Sequence, residues 1–269
     1  MISRSDPGTL TPDTANPDLA NPDRTNLDTA PADAAVPEHP SAASARRLAT
    51  FGLTLVAVTL LAIGALHLLP QTSGISPVRR TISEYALSPL GWVFEVAVLL
   101  LAAGSAAILL ALVRCGLVKP VSTGSALLAL WSVSLVMLVI FTKHNWAVGP
   151  STEGQVHRVF SLVAFLSLPI GVLSIARRRR DRAHPVADRV SAWWATGLGW
   201  LSLAWFSPLA LAVLLAPITG TPWYRAIPLG LVERGLALTE VLAVACLGIW
   251  ALRHQISESP EERIDPAPR

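Results

Sequence analysis

Long apolar runs separated by short polar stretches fill most of this chain. Six runs, at about 50–69, 90–113, 121–141, 157–176, 192–215 and 229–252, are long enough to cross a bilayer as helices, which takes about 20 residues. None alternates with period two, as a barrel strand would. The pattern therefore predicts an all-α fold, a polytopic membrane bundle of six transmembrane helices. Turn chemistry marks several helix ends. Ser88-Pro89 reads as the N-cap and first position of the second helix. Thr152 with Gln155 reads as a capping box for the fourth. Pro70 closes the first helix and Pro217 the fifth. Gly104, Ser105, Gly171, Gly197 and Gly199 are small enough to let helices approach closely.

The two ends of the chain break this pattern. Residues 1–47 are rich in Pro, Asp, Ala, Asn and Thr, with a degenerate five-residue repeat beginning at Pro12, Pro17, Pro22 and Leu27. Such a segment has little apolar surface to offset the entropy of ordering it. It is expected to be a disordered tail and not a signal peptide, since no apolar stretch follows Met1 closely. The expected organisation is a tail over 1–47, a membrane domain over 48–253 and a second disordered tail over 254–269.

Composition agrees with a membrane. The chain is 52% hydrophobic and 14% charged, with a mean hydropathy of +0.51; a soluble domain carries roughly 25% charged residues. The sequence pI of about 9.3 invites a nucleic-acid reading. The placement of the charge argues against it, because the basic residues gather at helix ends. Arg46 and Arg47 precede the first span, Arg114 and Lys119 lie between the second and third, and Arg177–Arg180, Arg182 and Arg189 lie between the fourth and fifth; Arg253 follows the sixth. These regions share one side of the membrane, expected to be the cytoplasm. Both termini are then cytoplasmic, in a multi-pass protein of the cell membrane. The Arg177–Arg182 loop is expected to attract anionic lipid. Trp92, Trp146, Trp193, Trp194, Trp223 and Trp250 lie near helix ends, as an aromatic belt would. Cys115 and Cys246 are too few for a disulfide framework and are expected to be reduced, buried thiols.

This topology sends the polar loops to the opposite face. One carries Arg79 to Pro89, another Thr142 to Arg158, and a third Gly220 to Arg225 with Glu233 and Arg234 just beyond. His67, His144 and His157 fall on the same side. Three motifs stand at helix entries there: Ser83-Glu84-Tyr85-Ala-Leu-Ser-Pro-Leu-Gly-Trp92, Gly154-x-x-His157 and Gly230-Leu-Val-Glu233-Arg234. In their order and placement the chain resembles the prokaryotic six-helix membrane proteins catalogued as domain of unknown function 998, over about residues 50–252. The resemblance implies a fold and a compartment and no activity. Family members often carry an acid in a Phe-Pro-Thr-Asp-like stretch after the third helix; here the stretch is Phe141-Thr142-Lys143-His144. An acidic role there is either lost or taken by another group.

Six residues are candidate ligand contacts: Glu84, Glu95, His157, Glu233, Arg234 and Glu240. Glu240 lies about 16 Å along the last helix at 1.5 Å per residue. It follows Glu233 by seven residues, so both project from nearly one face. An ionisable group that deep is costly, which marks it as a functional candidate; the plainer alternative is a neutral acid bonded to a neighbouring helix. Glu233 and Arg234 could equally form a structural ion-pair set with Arg79, Arg80 or Glu84. His157 and Ser161 share a helix face. A zinc site of His67, His144 and His157 is conceivable, but no ligand spacing supports it. Haem, a serine elbow and a phosphate-binding loop find no motif. No catalytic residue, metal or cofactor is assigned. The leading expectation is a protein that binds or moves a small or lipid-like ligand through an outward-facing polar cavity. An intramembrane hydrolase or lipid-modifying enzyme, and an interaction or assembly protein, are the alternatives.

Overall fold

The computed structural model describes residues 40–144, 149, 151–179 and 185–257. Most of the expected N-terminal tail, Trp146, Arg180–Arg182 and residues 258–269 lie outside the described residues. What is described is all-helical, with six helices long and apolar enough to cross a membrane. They are α1 (Pro40–Leu68), α2 (Gly91–Arg114), α3 (Thr123–Ile140), α4 (Thr152–Arg177), α5 (Val186–Thr219) and α7 (Leu229–Ser257); a single turn, α6 (Trp223–Ala226), precedes the last.

The ends correct several sequence expectations. Helix α1 starts at Pro40, well ahead of its apolar run, because Ser-Ala-Ala-Ser-Ala is compatible with helix and Pro suits a first turn. Ser88 does not cap α2, which begins at Gly91 after Leu90. The Ser88 hydroxyl instead closes a preceding 3-10 turn, Ile82–Leu87, by donating to the Tyr85 carbonyl. The cap of α4 is Ser151, one residue earlier than expected, and its hydroxyl accepts from Gly154 N–H at 3.1 Å. Helix α5 runs through Pro217 and stops at Gly220, whose φ of 65° only glycine adopts without penalty.

The long helices form a ring in chain order, closed by α7 against α1, and α7 also touches α2 and α4 across the middle. Over half of the spanning window of α2 and of α7 is buried (56% each), against 11% for α5. α2 and α7 are thus the two inner helices, and whatever polar groups they carry must find partners inside the bundle. Small residues set the spacing. A Cβ on Gly104 would lie 2.9 Å from the Gly52 carbonyl of α1, and one on Gly171 would press on Leu127 and Leu128 of α3 at 3.1 Å. Gly199 meets Leu173 of α4 in the same way, whereas Gly197 faces open space and makes no such contact.

Candidate functional site

One end of the bundle gathers the segment between α1 and α2, the end of α3 and the starts of α4 and α7. The first of these folds as two 3-10 turns, Pro70–Thr72 and Ile82–Leu87, and lies over the start of α7. Leu231 N–H donates to the Val78 carbonyl at 3.1 Å. Gly230 is required here: a Cβ would run into the backbone of Pro77 and Arg80. Four residues on, and so on the same face, Arg234 ties the pieces together. Its Nε donates to His67 Nε2 at 2.7 Å. Its Nη1 donates to the carbonyls of Pro77 (2.8 Å), Arg80 (2.5 Å) and Gly230 (3.1 Å). The guanidinium also sits 5.8 Å from the ring centre of Tyr85, which is fully buried. His67 Nδ1 faces the Ile63 carbonyl at 2.7 Å, so the network assigns the hydrogen to Nδ1 and leaves Nε2 to accept.

The acids of this end are also engaged. Glu233 accepts the Ile82 N–H at 3.1 Å, where the second 3-10 turn begins. Glu84 pairs with Lys143 at 3.2 Å and with Arg80 at 3.4 Å, and Lys143 also donates to the Thr81 hydroxyl. Lys143 stands in the stretch where the family resemblance led to an acid. Its charge is opposite, and the acid it meets is supplied by the neighbouring segment.

His157 Nδ1 donates to the Phe141 carbonyl at 2.8 Å, tying α4 to the C-cap of α3. The Ser161 hydroxyl goes to the backbone carbonyl of His157 and not to its ring, so the two make no catalytic pair. His144 Nδ1 accepts from Ser151 N–H at 2.8 Å. The three histidines therefore serve three different places. Among the described residues, no group of three or more His, Cys, Asp or Glu is placed to hold a metal.

Of the six expected ligand contacts, Glu84, Glu233 and Arg234 come together; His157 stands beside them, and Glu95 and Glu240 lie outside the network. These bonds fasten the segment between α1 and α2 to Lys143 and to the start of α7. Glu95 is half-buried on the first turns of α2. Glu240 is fully buried on α7, between Leu236 and Val244 one turn either way, and neither carboxyl oxygen has a hydrogen-bond partner. Its chain neighbour Thr239 is bonded to Ser202 of α5 at 3.1 Å, so the lack of a partner is particular to the carboxyl.

The opposite, basic end holds a cluster that sequence reasoning missed. Asp188, in the first turn of α5, is buried and accepts at one oxygen from Trp250 Nε1 (3.0 Å) and His254 Nδ1 (3.1 Å). Arg179 approaches its other oxygen at 3.9 Å and donates to the carbonyls of Gly116 (2.7 Å) and Leu117 (3.3 Å). Trp250 is therefore a buried donor, not part of an aromatic belt; Trp92, Trp193 and Trp194 do stand exposed. The available signal was Trp250 and His254 four apart on one face of the last helix. Both cysteines are half-buried thiols.

Residues 54–250 match the family described as protein of unknown function (DUF998), and the chain belongs to that family. No curated protein and no solved structure matches the chain. The match takes in the clasp that Glu84, Lys143, Glu233 and Arg234 form over the start of α7, together with Glu240 and Asp188, and leaves the N-terminal tail outside.

Proposed function

We propose that this DUF998 family member binds a small or lipid-like ligand inside its helix bundle, with Glu240 as the interior anchor. The observation that carries this reading is a fully buried carboxyl whose two oxygens lack hydrogen-bond partners, deep on one of the two inner helices. Buried polar atoms are nearly always satisfied, and an exception calls for a cause. In an apolar bundle the cost of such a group is highest, and it persists where a ligand, ion or proton meets it during function. A carboxyl at that place suits a ligand carrying a hydrogen-bond donor or a cation, an amine or hydroxyl head on an apolar body. Glu84, Glu233, Arg234 and Lys143 then form the closure at the end through which the ligand enters, and Glu95 lies on its path. The basic end faces the cytoplasm on the positive-inside rule, which makes the closure outward-facing. His157 and Ser161 spend their polar atoms on backbone carbonyls, so nothing in their geometry favours the hydrolase reading.

The test is mass spectrometry of organic extracts from purified wild type and Glu240→Gln, both shown to be folded by thermal unfolding. A compound retained by wild type and absent from the variant is the expected result. Identical extracts would remove Glu240 as the anchor.

A further inference from the structure

Glu240 differs from the other polar groups inside the spans in what it can exchange. The buried hydroxyls of Thr59, Ser105, Ser132, Ser202 and Thr239 each donate to a carbonyl one turn back on their own helix. Such a hydroxyl is satisfied whether or not a ligand is there. A carboxylate has no hydrogen to donate, and neither Glu240 oxygen has a partner. Leu236, Ala243, Val244 and Leu247, all buried, share its side of α7 at helical spacing. What a carboxyl offers there, and a hydroxyl does not, is a change of one unit of charge.

The charge around it is one-sided. Over residues 50–66, 91–113, 123–141, 159–176, 190–219 and 235–252, the ionisable side chains are Glu95, Glu240 and Cys246, and none is basic. The elements packed on α7 carry their other titratable groups at the two ends of the bundle. These are His67 on α1, Glu84 and Tyr85 in the second 3-10 turn, Arg114 on α2, His157, Arg158 and Arg177 on α4, and Asp188 and Arg189 on α5. On α7 itself they are Glu233, Arg234, Arg253 and His254. A carboxylate without a counter-charge in apolar surroundings is too costly to keep. We infer that Glu240 holds a proton while the site is empty and gives it up in exchange for one monovalent organic cation, a positive head on an apolar body. This names the ligand class of the interior site and rests on the reading of Glu240 as its anchor. The exchange balances one for one. The carboxyl O–H bond breaks, its proton passes to bulk water, and the ligand's positive charge stands beside the carboxylate, so the interior is neutral in both states. A neutral hydroxyl ligand would leave the proton in place. Glu95, the other carboxyl of the spans, adds an acid and no competing base. Cation and proton compete for one carboxyl. Binding therefore tightens as pH rises, by up to about tenfold per pH unit for one proton displaced, and levels off once the empty carboxyl has lost its proton.

The full-length protein in nonionic detergent is titrated with tetraphenylphosphonium, a permanent monovalent cation with an apolar body and no proton of its own, and with the neutral triphenylphosphine oxide. Equilibrium dialysis reads binding, an indicator dye in weakly buffered solution reads proton release, and the infrared carbonyl band reads the protonated carboxyl. Wild type is expected to bind the cation at least about tenfold more tightly than the oxide, to release about one proton per cation bound, and to lose the protonated-carboxyl band on binding. Glu240→Gln, its fold checked by thermal unfolding, should lack both the release and the band and should bind the cation at least about tenfold more weakly. Cation binding by wild type without proton release overturns the exchange. So does equal release from wild type and variant, or a wild type that does not prefer the cation. Failure of the exchange is distinct from failure of the anchor. A compound retained by wild type and lost in Glu240→Gln, with no proton release on cation binding, keeps Glu240 as the anchor and makes its ligand neutral. Identical organic extracts from the two proteins would remove both.

Discussion

The two ends of α7 are fastened by opposite chemistry. At its start, one arginine spreads donors over three backbone carbonyls and His67, holding a loop. Near its finish, one aspartate gathers donors from Trp250 and His254, holding two helices. Between them Glu240 holds nothing. Of the buried or half-buried acids, arginines and histidines that α7 itself carries, Glu233, Arg234 and His254 are explained by what they bind within the protein, and Glu240 is not. A charge with protein partners is accounted for by the fold, and the one without them is where a ligand is to be sought.

The sharpest way to break this comparison is Arg234→Met. It removes four donor contacts at once and leaves the Pro77 and Arg80 carbonyls to find water. A cost of about 3 kcal/mol is expected, at roughly 1 kcal/mol per lost bond with some recovered by solvent. It should appear as a clear fall in melting temperature. Arg234→Lys should rescue little, since a point charge cannot reproduce the fork. A variant as stable as wild type would show that the clasp is not a fastening.

Asp188→Ala comes next, at about 2 kcal/mol, because it strands the buried Trp250 N–H and loosens Arg179. Asp188→Asn should cost less, as its amide oxygen still accepts from Trp250. The order Arg234 before Asp188 sharpens the contrast between loop and helix fastening; the reverse order would make the basic end the firmer one.

The fold was legible in the sequence because six apolar runs of spanning length leave a chain few alternatives. The clasp was partly legible, since Glu84, Glu233 and Arg234 stand at helix entries where polar residues are conspicuous. Their partners were not. The carbonyls of Pro77 and Arg80 carry no side-chain signal, and Lys143 reads as a departure until Glu84 is seen beside it. Asp188 was hidden for a different reason. It sits next to a run of arginines, where one acid looks like a minor correction to the charge, and its donors lie over 60 residues away on another helix. Capping was misplaced by one residue at Ser151 because Ser and Thr adjoin there and both can cap.

A smaller effect is expected at Lys143. Its ammonium is mostly shielded, with 12% of its side chain exposed, yet Arg80 also serves Glu84. Lys143→Gln and Glu84→Gln should each cost about 1 kcal/mol, and the double variant should cost less than their sum, by a coupling of roughly 0.5 to 1 kcal/mol. Strict additivity in thermal unfolding would show that the pair does not contribute to the closure.

The smallest effect on stability is expected where the functional claim is largest. Glu240→Gln removes no bond that the fold makes, so its melting temperature should lie within the equivalent of about 1 kcal/mol of wild type. Glu240→Leu should equal or exceed wild type, because an unsatisfied polar group is replaced by an apolar one of similar size, and such exchanges are neutral or stabilising. Both variants should nonetheless lose whatever compound wild type retains. That combination, unchanged or higher stability with lost retention, is what separates Glu240 from Arg234 and Asp188. A fall in melting temperature on Glu240→Leu as large as that on Arg234→Met would mean that the carboxyl has a structural partner. Glu240 would then join the two fastenings, and the comparison along α7 would collapse.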